Sequence, residues 1–92
     1  MAVAFVLEFP GMTSGQADAV IQALNLGGKP APGQILHLDG PGDNGTHIVE
    51  VWESMEAYEA FVRDRLGPAF QQAGVQGPPP RPRLWQVRNI IT

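Results

Sequence analysis

The sequence has no cysteine, only six lysines and arginines, two histidines, and no apolar run long enough to cross a bilayer. The first absence excludes disulfides and thiolate metal sites, and it fits a reducing compartment. The scarcity of basic residues, with a formal net charge of −3, removes the field that draws a phosphate backbone, so nucleic acid is not an expected partner. Residues 2–7 are apolar but lack a basic leader and run into Glu8 and Pro10, so neither a signal peptide nor a membrane anchor is expected there. The expectation is a cytoplasmic protein with no membrane partner. Two histidines without a His-x-x-x-His pair fall short of the three or four ligands a metal needs, so no metal is expected.

What is present is a chain of 92 residues, 43 % apolar, punctuated by 11 glycines and 9 prolines. It is shorter than the common domain size of about 100 to 150 residues. One domain over residues 1–92 is expected, and a core this small is often supplemented by oligomerisation. Residues 2–9 are rich in β-formers and end at Pro10-Gly11, a strand closed by a turn. Thr13 with Gln16 forms a capping-box pattern, and Ala17, Val20, Ile21 and Leu24 recur at helical spacing until Gly27-Gly28. After Pro30 and Pro32, residues 34–39 and 46–53 read as two strands joined by the turn cluster at 40–45. Ser54 is an N-cap, and Met55, Tyr58, Val62, Leu66 and Phe70 mark a second amphipathic helix. Gly67-Pro68 is expected to interrupt that helix before it stops at Gly74. Residues 76–83 are proline-rich and extended, leading to a last strand over 84–91.

The order βαββαβ predicts an α+β, ferredoxin-like fold: a four-stranded antiparallel sheet with two helices on one face. Period-two alternation assigns Phe5, Leu7, Phe9, Leu36, Leu38, Val49 and Val51 to the covered face. It assigns Val6, Glu8, Ile35, His37, Ile48, Glu50 and Trp52 to the open face. That open face is too apolar to remain in water, and a second copy stacked sheet to sheet would cover it, which predicts a homodimer.

The same assignment gathers chemistry. Glu8, His37 and Glu50 come from three strands, with Trp52 two residues beyond Glu50, giving a polar spot in an apolar chamber. Desolvation raises the pKa of a carboxylate in such a place, and an imidazole beside it can move a proton near neutrality. His37 and Glu50 are thus the candidate catalytic pair, and Trp52 and Glu8 the candidate substrate contacts. The other reading is that His37 only satisfies Glu50 or the partner chain at an interface. His47 is expected to face the helices in a structural role. The segment 78–82 is expected to serve as a rigid lead-in to the last strand rather than as a polyproline ligand.

The run Gly45-Thr-His-Ile-Val-Glu-Val-Trp-Glu-Ser54, followed by Phe61 and by Arg65-Leu-Gly-Pro-Ala69, resembles the dimeric α-β barrel superfamily. Within it, the chain is similar to small bacterial proteins grouped with the antibiotic biosynthesis monooxygenases. Leu36-His37 and Val87-Arg-Asn89 extend the resemblance over nearly the whole sequence. It implies a homodimer that binds a small hydrophobic or aromatic ligand. It also implies a cofactor-independent oxygenase, in which a bound phenol or enol is deprotonated and its anion reacts with oxygen in a dry pocket, with Glu50, His37 and Trp52 in those roles. The superfamily holds several chemistries, so a non-catalytic ligand-binding or accessory homodimer stands as the alternative.

Overall fold

Strand β1 (Val3–Pro10) buries Val3, Phe5, Leu7 and Phe9 on one side, the two-residue period of a pleated strand against a core. Helix α1 (Ser14–Leu24) follows. Gln16 N–H donates to Thr13 Oγ1 at 3.1 Å, and Thr13 N–H donates to Gln16 Oε1 at 3.0 Å, completing the capping box. The helix stops where Asn25 turns left-handed, with φ of 55°. Strands β2 (Gln34–Pro41) and β3 (Gly45–Trp52) form the hairpin. Ser54 Oγ accepts from Ala57 N–H and starts α2 (Met55–Phe61). The expected interruption is a π-helical segment, Val62–Leu66, which runs into α3 (Gly67–Ala73), with Pro68 in the first turn and Gly74 left-handed at the end. Strand β4 is Arg83–Gln86, shorter than expected. The computed structural model describes residues 2–75 and 80–91, so the first part of the proline-rich lead-in lies outside the described residues.

The four strands form one antiparallel sheet in the order β2-β3-β1-β4. This is the ferredoxin-like arrangement. Phe5, Leu7, Ala17, Trp52, Tyr58 and Phe61 share the core between the sheet and the helices. Glycine is required at Gly45, where a Cβ would collide with the Phe9 carbonyl as the hairpin closes against the end of β1. No helix among the described residues is long and apolar enough to cross a membrane.

The faces of β2 and β3 are the reverse of those expected from alternation. Val3, Phe5 and Leu7 pair with Trp52, Glu50 and Ile48, and His37 pairs with Glu50. Directly paired residues lie on the same face of a sheet, so His37, Ile48, Glu50 and Trp52 face the helices, and Leu36, Leu38, Val49 and Val51 face outward. Strand β3 is apolar on both faces, so alternation does not choose between them. Bulk does: burying the Trp52 indole removes far more apolar surface from water than burying Val51. The register of β3 then fixes β2, with an irregularity between Gln34 and Leu36 displacing Ile35 from the ladder. His47 is likewise on the open face, opposite Glu8, rather than under the helices.

Candidate functional site

Between the sheet and helices α1 and α3 lies a cavity of about 300 Å³, at the small end of the range for ligand pockets. Leu7 and Phe9 of β1, Val20 and Leu24 of α1, and Phe70 of α3 supply its apolar wall. The polar lining groups come from elsewhere: His37 and Asp39 of the edge strand β2, Glu50 of its neighbour β3, and Lys29 and Gln34 around the loop that enters β2. The cavity is therefore apolar along β1 and its helices and polar along β2.

A hydrogen-bonded chain organises the polar side. The buried Trp52 indole donates from Nε1 to Glu50 Oε1 at 2.8 Å. Glu50 Oε2 lies 2.7 Å from His37 Nδ1, and His37 Nε2 lies 2.7 Å from Asp39 Oδ2. An imidazole donates from both nitrogens only when protonated, so this geometry matches imidazolium held between two carboxylates. The hydrogen bond to Glu50 chiefly raises the His37 pKa above the ordinary imidazole value of 6.5, opposed by burial and helped by Asp39. Glu50 itself is 7 % exposed. Its charge is tolerable there because the indole and the imidazolium both donate to it. Among the described residues, no buried side-chain nitrogen or oxygen lacks a partner, and no group of three or more histidine or acidic side chains is arranged to hold a metal.

Sequence reasoning placed His37 and Glu50 together, and they are together, on the helix-covered side of the sheet rather than the open one. Trp52 is fully buried and acts on Glu50 from behind, outside the cavity wall. Glu8 is on the opposite face, its side chain 65 % exposed, with its Oε1 3.7 Å from His47 Nδ1. It is separated from the cavity by the sheet. Asp39 was missed. The signal for it was available, because it lies two positions after His37 and a strand returns to the same face at that spacing.

In chemical terms, the imidazolium cannot accept a proton, whereas the Asp39 carboxylate, half-open at the rim, can accept a hydrogen bond from an acidic hydroxyl. His37 Nε2–H is then placed to stabilise an oxyanion beside it.

No protein-family model matches the chain, and no curated protein does. Among solved structures, a protein of Chloroflexus aurantiacus J-10-fl, provisionally named an antibiotic biosynthesis monooxygenase, is similar over 99 % of this chain and 95 % of its own, with a TM-score of 0.62 and 19 % sequence identity. The two proteins share a fold. That likeness concerns the fold alone, and the chemistry is argued from the side chains of this chain.

Proposed function

We propose that this chain, as one ferredoxin-like domain, binds a small and mostly apolar molecule with a phenolic or enolic hydroxyl and acts on it as a cofactor-independent monooxygenase. The observation that supports the reading is His37, held by Glu50 and Asp39 on the polar wall of a largely apolar cavity. The ligand hydroxyl gives its proton to Asp39, and the His37 imidazolium stabilises the resulting anion. In a tricyclic ketone such as anthrone, the enolate reacts with dioxygen. The ring methylene becomes a carbonyl, one oxygen atom enters the product, and the other leaves as water with the two hydrogens removed. The name of the structural neighbour agrees with this reaction class, and the absence of cysteine agrees with a reducing, cytoplasmic setting.

Non-catalytic binding is the second reading, favoured by the saturation of both His37 nitrogens. The two are separated by titrating the protein with 2-naphthol while following the His37 ring signals by NMR, and by measuring oxygen uptake with anthrone. Perturbed His37 signals with protein-dependent uptake, lost in Asp39→Asn, support the enzyme. Perturbation without uptake supports the carrier. No perturbation removes the cavity as a ligand site.

The working form under this proposal is a homodimer. Leu36, Leu38 and Trp85 are 43 %, 51 % and 52 % exposed on the sheet face that no helix covers, beside Val49 and Val51. A second copy laid on this face would bury all five.

A further inference from the structure

We infer that the ligand of this cavity is an anion, a hydroxy-substituted aromatic or enolic carboxylate, and that Lys29 selects it by taking the carboxylate; the inference rests on the cavity being a ligand site, as proposed above. The polar lining is confined to β2, β3 and the entering loop, so a bound molecule must be amphipathic, with its polar atoms grouped at one side. Four charged side chains line that wall. Three of them are mutually satisfied, since His37 lies between Glu50 and Asp39 at 2.7 Å from each. The fourth is Lys29, which has no acidic partner within 4.0 Å among the described residues.

Local backbone explains how Lys29 comes to line the cavity. Gly27 and Gly28 both take positive φ, 65° and 77°, a conformation glycine adopts without steric cost. Lys29 N–H then donates to the Leu26 carbonyl at 3.2 Å, turning the chain from the end of α1 back toward the edge strand. The neighbouring Gln34 has its Oε1 taken by Ala31 N–H at 3.0 Å, and its Nε2 is a neutral donor that brings no charge to a carboxylate. A neutral phenol would use Asp39 and His37 and leave the ammonium unanswered. A hydroxy acid uses both, its hydroxyl on Asp39 and its carboxylate on Lys29 in a charge-assisted hydrogen bond.

The test compares 3-hydroxy-2-naphthoate with its uncharged methyl ester and with 2-naphthol, by fluorescence titration at low and high salt. For the unaltered protein the acid should bind on the order of tenfold more tightly than the ester, and the preference should shrink as salt is added. Lys29→Gln should abolish the preference while leaving ester and naphthol affinities in place, and Lys29→Arg should restore most of it. Equal binding of acid and ester, or a preference that survives in Lys29→Gln, overturns the role of Lys29 while the cavity remains a phenol site. Failure of all three probes to bind overturns the reading of the cavity itself, and this inference with it.

Discussion

His37 Nδ1 and Glu50 Oε2 are 2.7 Å apart at directly paired positions of β2 and β3, so the ladder that joins the strands also sets the distance between the two ionisable groups. Because Glu50 is buried and His37 is only partly so, the pair has a direction: the carboxylate depends on the imidazolium for its counter-charge.

The pH dependence of stability follows from that direction. The folded pKa of His37 is raised above 6.5, so the native state holds the proton more tightly than the unfolded chain. The stabilisation is fully present below the unfolded value and is lost as pH rises through the folded one. Urea midpoints should fall as pH increases across this interval. His37→Gln should flatten the dependence, and His47→Gln, on the other face, should leave it intact. A midpoint that rises with pH over the same interval would show that the imidazolium pair does not form.

Trp52 is expected to be the most costly single truncation in the sheet. It is fully buried against Tyr58 and Phe61, with ring centroids 5.6 and 5.0 Å away. Trp52→Ala should lose about 3 to 5 kcal/mol of stability in urea denaturation followed by circular dichroism. Trp52→Phe retains most of the apolar volume but removes the donor to Glu50, and its cost should be about 1 to 3 kcal/mol. Only the phenylalanine variant isolates the hydrogen bond, and it should also move the His37 titration seen by NMR.

Tyr58 is the single tyrosine of the chain, which makes its ionisation readable from near-ultraviolet absorbance without assignment. Burial chiefly, and the Glu50 charge secondarily, push its pKa up to about 12. Tyrosinate absorbance should therefore rise well above pH 10, and Glu50→Gln should bring the rise to lower pH. A normal tyrosine titration in the folded protein would place the hydroxyl in solvent.

The alternation that assigned the sheet faces succeeded for β1 and failed for β2 and β3, and the reason is visible in the residues. In β1 the bulky Phe5, Leu7 and Phe9 alternate with smaller or polar neighbours, so the covered face is unambiguous. In β3, Ile48 and Trp52 compete with Val49 and Val51, and the choice depends on tertiary packing against Tyr58 and Phe61 of the following helix, which strand alternation does not see. Helix ends were plain because capping is local: Thr13 with Gln16, Ser54 and Gly74 each act within a few residues. The His37–Glu50 pairing was legible because both residues were assigned together to one face, even though that face was the wrong one. Glu8 was grouped with them only through the inverted register, whereas Asp39, two positions along the strand from His37, shares its face in either register and was overlooked.

The outward face of the sheet offers a direct experiment on association. At low micromolar concentration, light scattering should give twice the chain mass. Leu38→Lys, at an exposed position, should give a single chain mass with unchanged circular dichroism, since a charge there costs little in water but much in an apolar interface. A monomer for the unaltered protein would leave the outward leucines solvated and remove the partner from the proposal.

The π-helical segment Val62–Leu66 amounts to one residue more than an α-helix would use between Phe61 and Gly67. Each residue of an α-helix turns the chain by about 100°, so the same residues wound as a regular α-helix, without the wide turn that takes up the extra one, would rotate the whole of α3 about its axis and carry Phe70 away from the cavity wall. The sheet with its His37, Asp39 and Glu50 would be untouched. The shape of the greasy end is thus set by one wide turn in one helix, and the ionic end by strand pairing, so the two halves of the chamber can diverge independently.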